Sequence, residues 1–134
     1  MIIVVCIDDK GGMLFNRRRQ SRDRLLREDL LRETAGRPLW MNGYSAGQFD
    51  QASENIRVAE DFASRAGAGE YCFFETTDPA PYLDAAEEII LYRWNRQYPA
   101  DRYFPLPLKG WRLERSGDFP GSSHELITKE VYQR

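Results

Sequence analysis

The sequence is poor in the residues that build metal sites and disulfide frameworks. It has one histidine, His124, and two cysteines, Cys6 and Cys72. A zinc site draws three or four ligands from such residues, and one histidine with two distant cysteines does not supply them. Each cysteine stands in an apolar, strand-like run, which is typical of buried, reduced thiols in a cytoplasmic protein. We therefore expect no metal and a cytoplasmic location.

Long apolar runs are also missing, so the sequence predicts no membrane span and no membrane partner. The apolar start, Met1 to Ile7, lacks the charged region of a signal peptide and is interrupted by Asp8 and Asp9. It is typical of a first strand instead. With 134 residues, 42% hydrophobic and 30% charged, the chain has the composition of one globular domain with a sizeable core.

Charge is distributed unevenly along the chain. The net charge is −2, but residues 16–37 contain eight arginines and four acids, a local charge of +4. An acidic protein with one basic segment suits a small anionic ligand better than a long nucleic acid, which needs a basic face spread over the domain. Part of this segment also fits a solvated helix face with i,i+4 ion pairs. The triplet Arg17, Arg18 and Arg19 precedes the helix and is a candidate for ligand charge.

The order of patterns predicts an α/β domain of three layers. Apolar runs at residues 1–8, 37–41, 71–74 and 89–94 predict strands, with a weaker one at 56–58. Ser21 is expected to introduce a helix over residues 22–34, and shorter helices are expected at 45–52, 62–66 and 82–88. A loop is expected at 13–19. Residues 111–119 and 124–132 flank a Pro-Gly-Ser-Ser turn and predict an antiparallel hairpin. The expected sheet is therefore mixed and mostly parallel, with helices on both faces and the hairpin at the C-terminus.

The stretch from Arg37 to Phe49 offers a candidate ligand site. It runs from a strand through Asn42 and Gly43 into a helix whose predicted N-cap is Ser45. Free amides at such a helix start can bind a phosphate or carboxylate, which makes Asn42, Gly43, Tyr44 and Ser45 candidate ligand contacts. The alternative is that Ser45 caps a helix and binds nothing.

The same stretch contains the letters Gly-Tyr-Ser-Ala-Gly, which match the nucleophile elbow of α/β-hydrolases. Ser45 would then be the nucleophile and His124 the base, with Asp78, Asp84 or Asp101 as the acid. A 134-residue chain is short for the sheet of that fold. A serine hydrolase is therefore kept as a secondary alternative.

The order of elements resembles the dihydrofolate reductase fold over most of the chain. Residues 2–12 resemble that family's first strand and the start of its substrate-gating loop, and residues 37–45 resemble the strand and helix start that touch cofactor phosphate. Residues 87–92, 104–105 and 111–113 with the terminal hairpin are similar to its C-terminal strands. The resemblance implies that Asp23 stands near the helix position where the family places its pterin-binding carboxylate. It also implies that a reductase here would use NADPH, with Asp23 as the catalytic carboxylate.

Two departures from that family speak against reductase activity. The family has a Gly-Gly turn at the end of one strand, where its backbone approaches the nicotinamide cofactor, but this chain has Glu75-Thr76-Thr77. Arg93 replaces a small hydroxyl residue beside the pterin site, where it is expected to neutralise Asp23 and lower its pKa.

The leading hypothesis is a shortened domain of this fold without reductase activity or cofactor, binding a small anionic ligand or a protein partner. An NADPH-dependent reductase of a pterin-like substrate is the first alternative. Aromatic residues at 94, 98 and 103 leave a homodimer open. Because the strands that carry Cys6 and Cys72 are neighbours in that fold, the two thiols are expected to lie close together, unbonded.

Overall fold

The computed structural model describes residues 1–49 and 53–134. Its main sheet has the predicted first strand at its centre, β1 (Ile2–Ile7), whose six residues are all buried. Strands β4 (Leu39–Met41), β5 (Ile56–Val58), β6 (Tyr71–Phe74) and β7 (Glu88–Arg93) complete the parallel part. The continuous apolar runs of β1 and β6 follow from burial on both sheet faces, whereas β5 at the sheet edge contains Arg57 and is largely exposed.

A C-terminal hairpin extends the sheet as predicted. Strand β9 (Arg112–Phe119) pairs antiparallel with β10 (Ile127–Gln133), which pairs antiparallel with β7. The strand order is β5-β4-β6-β1-β7-β10-β9. The predicted mixed, mostly parallel sheet with a terminal hairpin is confirmed.

Helices cover both faces of this sheet. Helix α1 (Arg24–Glu33) buries Leu26 and Leu30 against one face, in a core shared with Val4 and Ile90. The short helices α2 (Gly43–Ala46) and α3 (Phe62–Arg65) and a 3₁₀-helix (Ala80–Ala85) complete the helical elements of the described residues. Phe62 of α3 packs on the opposite face, in a second core cluster. No helix of the described ranges is long and apolar enough to cross a bilayer.

The predicted loop at residues 13–19 is wrong, because this segment forms a second, small sheet. Strands β2 (Gly12–Phe15) and β3 (Arg18–Arg19) form a hairpin that also pairs with β8 (Arg102–Tyr103). Asn16 and Arg17 form its turn with φ values of 52° and 63°, which suits the primed turns that connect twisted strands. This hairpin carries the arginine triplet.

Two predicted helix starts also need correction. The N-cap of α1 is Asp23 rather than Ser21, and the N-cap of α2 is Asn42 rather than Ser45. Asp and Asn accept amide hydrogen bonds at this position at least as well as Ser does. The predicted helix over residues 45–52 ends earlier in the described part, at Ala46, and its residues 50–52 lie outside the described residues.

The two cysteines are unbonded, but the expectation that they lie close together is wrong. Their strands are neighbours, as predicted, yet Cys72 pairs in register with Ile3, three residues before Cys6. An odd offset places side chains on opposite faces of a sheet. Cys6 accordingly belongs to one core cluster and Cys72 to the other.

Candidate functional site

Polar and aromatic side chains gather at the carboxyl edge of the parallel strands. Asp8, Asn42, Glu75 and Trp94 directly follow β1, β4, β6 and β7, and each is buried. In open α/β sheets, ligands bind outside the carboxyl ends of the strands. The candidate site therefore lies at this edge, where the hairpin of β2 and β3 and the start of α1 also meet the sheet.

Asp23 has an almost fully hydrogen-bonded carboxylate at the start of α1. It is 1% exposed and accepts bonds from the amides of Leu25 and Leu26 as the helix cap. The turn between β9 and β10 supplies the other donors, which are the Ser122 amide and hydroxyl, the Ser123 amide and the His124 ring. Burial by itself raises the pKa of Asp23, but these hydrogen bonds, led by His124, outweigh it and hold the pKa well below its usual range.

His124 is the centre of this cluster. Its Nδ1 lies 3.0 Å from Asp23 Oδ2, and its Nε2 lies 2.8 Å from the Tyr98 hydroxyl and 3.3 Å from the Ser21 hydroxyl. The Trp94 ring stacks on the imidazole with centroids 4.6 Å apart. The ring is therefore fixed on its face and at both nitrogens.

The turn that carries His124 requires a glycine for close approach. A Cβ on Gly121 would lie 2.5 Å from Asp23 Oδ2 and 2.8 Å from the His124 carbonyl oxygen. Real side chains do not approach that closely, so any other residue pushes the turn away from Asp23. The Pro-Gly-Ser-Ser signal in the sequence thus positions His124 as well as turning the chain.

A second pair of charged side chains connects β3 to the carboxyl end of β6. Arg19 Nε lies 3.1 Å from Glu75 Oε2, and Arg19 Nη2 lies 3.2 Å from Glu75 Oε1. Gln48 donates a further bond to Glu75 Oε1 at 2.9 Å. The Arg19 guanidinium also lies over the Tyr44 ring, 4.2 Å from its centroid. Two of the predicted ligand contacts, Arg19 and Tyr44, are thus brought together, but the arginine charge is already paired with Glu75.

The predicted anion site at α2 already has protein partners on its amides. The Glu60 carboxylate accepts from the Gly43 amide at 3.0 Å, and the Asn42 side chain accepts from the Ser45 amide at 2.9 Å. Ser45 itself is fully buried, and its hydroxyl has no hydrogen-bond partner in the described residues. The Glu60 carboxylate therefore occupies the position at which the sequence predicts a bound anion.

The structure does not bring Ser45 and His124 together. Both ring nitrogens of His124 have partners, and Ser45 is not among them. The acid on Nδ1 is Asp23, which precedes the histidine by 101 residues, and not one of the aspartates expected from the hydrolase motif. The Gly-Tyr-Ser-Ala-Gly letters thus form a helix start whose serine faces the interior.

Two further expectations concern Arg93 and Trp94. Arg93 does not neutralise Asp23, because its Nε lies 2.6 Å from Glu130 on the neighbouring strand β10.

Trp94 is 4% exposed and stacks on His124, so it is not part of an exposed interface, whereas Tyr103 is 53% exposed. The aromatic surface proposed for a homodimer is therefore reduced to Tyr103 and the half-buried Tyr98.

Asp8 fixes the loops around the cluster. Its carboxylate accepts from the Gly12 amide at 2.7 Å, from Gln20 Nε2 at 3.0 Å and from the Tyr98 amide at 3.2 Å. One buried carboxylate thereby ties the small sheet and the segment of Tyr98 to the end of β1. No group of three or more His, Cys, Asp or Glu side chains in residues 1–49 and 53–134 is arranged to hold a metal ion.

A basic pocket opens beside the Asp23 and His124 cluster. Its lining comes from the start of α1, from the segment after α2 and from the turn before His124, and consists of Arg22, Arg24, Arg27, Gln48, Ser122 and Ser123. Arg24 pairs with Glu28 at 2.9 Å. Arg22 and Arg27 have no carboxylate partner within the described residues. We call this site the arginine pocket.

Sequence reasoning missed both the pair of Asp23 with His124 and the arginine pocket. The residues of the pair are 101 positions apart, and no local pattern joins them. One available signal was that the only histidine follows a tight Gly-containing turn. For the pocket, the signal was the set of arginines, which the helix brings to one side together with the distant Ser122 and Ser123.

Comparison with known proteins identifies the fold. No protein-family model matches the sequence, and no curated protein matches it either. Among solved structures, the chain is similar to dihydrofolate reductase from Enterococcus faecalis complexed with NADP(H) and RAB-propyl. The TM-score is 0.67 at 10% sequence identity, and the match covers 99% of this chain and 95% of that one. Together with the strand order and the helices on both faces, this likeness shows that the chain has a dihydrofolate reductase-like fold.

Proposed function

We propose that this domain is a cytoplasmic small-molecule-binding protein that has lost reductase activity and takes an anionic, phosphate-bearing or carboxylate-bearing ligand in the arginine pocket. The observation that carries the proposal is that Arg22, just before α1, and Arg24 and Arg27 in its first turn line one pocket together with Gln48, Ser122 and Ser123. Guanidinium groups bind phosphate and carboxylate through charge-assisted, often bidentate hydrogen bonds. Arg22 and Arg27 can make such bonds without first releasing a carboxylate of the described residues.

The state of Asp23 supports the loss of reductase activity. The resemblance to dihydrofolate reductases gives Asp23 the role of binding a pterin and supplying protons. Here all of its near neighbours are donors from the protein, and its pKa is held low by His124 and by backbone amides. A carboxylate that must deliver protons near neutral pH needs a raised pKa and a free oxygen. Asp23 has neither property.

The residues at the expected cofactor contacts also do not fit a dinucleotide. The fold implies NADPH, but the buried Glu75, paired with Arg19, stands at the end of β6, where the related enzymes have a Gly-Gly turn. At the start of α2, the expected phosphate contact, the Glu60 carboxylate holds the Gly43 amide. Two carboxylates at these positions oppose the cofactor's phosphates and its approach to the backbone.

A thermal-shift panel tests the proposal. The protein is melted with NADPH, NADH, a pterin, inorganic phosphate, nucleotides and phosphorylated metabolites. A ligand at a hundred times its Kd adds about 2.7 kcal/mol, which raises Tm by several degrees in a domain of this size. We expect at least one anionic ligand to raise Tm. We expect NADPH and NADH to raise it no more than simple phosphate compounds do.

Two variants assign the binding to the pocket. Arg27→Gln should remove the shift, because it deletes a pocket charge while keeping a helix-forming side chain. Arg32→Gln is the matched control, since Arg32 lies on the same helix, is 71% exposed and is outside the pocket. A specific NADPH shift accompanied by pterin turnover would restore the reductase alternative. If the ligand raises Tm equally in Arg27→Gln and Arg32→Gln, the anion binds outside the arginine pocket.

A further inference from the structure

Two hydroxyl groups converge on one nitrogen of His124. The Tyr98 hydroxyl lies 2.8 Å from Nε2 and the Ser21 hydroxyl 3.3 Å from it, while Nδ1 lies 3.0 Å from Asp23. Ser21 is partly exposed, whereas the His124 and Asp23 side chains are 1% and 0% exposed. A hydroxyl, an imidazole and a buried carboxylate therefore stand in a row, with the hydroxyl end reachable from outside.

The hydrogen bonds of Asp23 determine how the protons are placed. Its two oxygens accept from backbone amides, so the carboxylate is ionised and acts only as an acceptor. The Nδ1 of His124 must then donate to it, which leaves the lone pair of Nε2 facing Ser21 and Tyr98. This is the tautomer that a general base needs.

We propose that Ser21, His124 and Asp23 form a hydrolytic triad, with Ser21 as the nucleophile, His124 as the general base and Asp23 as the residue that orients the imidazole. Such triads are recognised by geometry and roles and not by their order in the chain. In the structure Tyr98 makes the shorter bond to Nε2. Tyr98 is therefore a regulating neighbour that must yield this bond when Ser21 reacts.

The reaction uses water and an ester. The Ser21 hydroxyl gives its proton to His124 Nε2 while its oxygen forms a bond to the ester carbonyl carbon. The tetrahedral intermediate expels the alcohol, which takes the proton from His124. A water molecule then gives a proton to His124 and attacks the acyl carbon, and the acid leaves as Ser21 regains the proton.

The surroundings of Ser21 indicate the class of ester. Ser21 and His124 are the chain neighbours of Arg22 and Ser123, which line the arginine pocket, so we place the anionic group of the substrate in that pocket. On the other side, Ser21 lines a small cavity together with Cys6, Gln20 and Trp94. Gln20 Oε1 is buried without a hydrogen-bond partner in the described residues, and the cavity has room for about one water molecule. The substrate class is thus an ester that carries a carboxylate or phosphate. This choice of class rests on the proposed anion site, whereas the triad does not.

Labelling with an uncharged fluorophosphonate probe tests the triad directly, with the modified residue identified by mass spectrometry. We expect the label on Ser21 and none in Ser21→Ala. Ser45→Ala is the matched control and should label like the wild type. Tyr98→Phe should label faster, because it frees Nε2 for Ser21. His124→Gln should slow labelling about a hundredfold or more, and Ser21→Ala and Tyr98→Phe carry the test if His124→Gln does not fold.

An absence of label in both the wild type and Tyr98→Phe overturns the proposal, as does a label on Ser45 or a labelling rate that His124→Gln leaves unchanged. The substrate class is tested separately with 4-nitrophenyl succinate and 4-nitrophenyl acetate. We expect kcat/KM to be at least about tenfold higher for the anionic ester, and Arg27→Gln to remove this preference. Labelling of Ser21 without the preference would keep the triad and reject the anion site. If Ser21 is not labelled but calorimetry shows phosphate binding that Arg27→Gln removes, the triad is rejected and the anion site is kept.

Discussion

His124 donates through Nδ1 to a carboxylate oxygen of Asp23 at 3.0 Å, across 101 residues of sequence. This bond fastens the turn between β9 and β10 to the N-terminus of α1. Both side chains are buried, and the Trp94 ring covers one face of the imidazole. One long-range contact thus joins the C-terminal hairpin to the helix.

The first prediction concerns acid sensitivity. Because the pKa of Asp23 is lowered in the folded chain, the unfolded chain binds its proton first as the pH falls. The stabilisation that the ionised Asp23 gives to the folded chain is therefore complete above the ordinary carboxyl pKa of about 3.9. It is lost progressively as the pH falls from there towards the lowered pKa of the folded chain. Urea denaturation at pH 7, 5 and 3 should show this loss in the wild type. Asp23→Asn should be less stable at pH 7 and should lose less stability towards pH 3. The exposed Asp9→Asn is the control, and an unchanged pH slope in Asp23→Asn would contradict the prediction.

The second prediction concerns Gly121. Gly121→Ala should destabilise the protein by about 1–3 kcal/mol, because the new methyl group overlaps Asp23 and the His124 carbonyl. Gly117→Ala on β9 is the matched control, since nothing lies within 4 Å of its Cβ position. Thermal unfolding of both variants measures the difference. Equal stability of the two variants would show that the turn does not press against Asp23.

The third prediction concerns the buried hydroxyl of Ser45. A buried hydroxyl without a partner costs about 1–3 kcal/mol, so Ser45→Ala should raise the free energy of unfolding. Ser64→Ala is the control, because the Ser64 hydroxyl is exposed and bonded to the Asp61 carbonyl. Urea denaturation compares the two. A loss of stability in Ser45→Ala would mean that the hydroxyl has a partner or a ligand.

The fourth prediction concerns the pair of Arg19 and Glu75. Arg19→Leu leaves the 7% exposed Glu75 carboxylate with only Gln48 as a partner, and breaking a buried pair in this way costs about 3–5 kcal/mol. The double variant Arg19→Leu/Glu75→Leu should recover much of that loss, because no charge is left buried. A double-mutant cycle by denaturant unfolding measures the coupling. Arg112→Ala, at an exposed ion pair, is the control and should change stability little.

Local sequence patterns predicted the main sheet well. Residues 2–7, 71–74 and 89–92 are apolar at every position, and each run lies in a strand and is buried on both faces. The predicted hairpin formed across the Pro-Gly-Ser-Ser turn. Helix boundaries were less accurate, since Asp23 and Asn42, rather than the serines, satisfied the free amides.

The second sheet and the candidate site could not be predicted in the same way. The arginine triplet has no apolar alternation, and β3 pairs with β2 beside loops that Asp8 holds through Gly12, Gln20 and Tyr98. The pairing expected between Arg93 and Asp23 is not formed, because Arg93 is paired with Glu130 on the adjacent strand. These outcomes depend on partners that are distant in sequence.

The sequence by itself determined the strands of the main sheet, the main helix and their order, because periodic burial and turn chemistry act over a few neighbouring residues. Tertiary structure decided which charges are paired and which remain free. Asp23, a candidate for proton transfer in a reductase, has its carboxylate hydrogen-bonded by His124 and the turn before it. Arg19, a candidate for ligand charge, is paired with Glu75, whereas Arg22 and Arg27 line a pocket. The physical reason is that the properties of a charged group depend on its burial and its hydrogen-bond partners, which only the folded chain brings together.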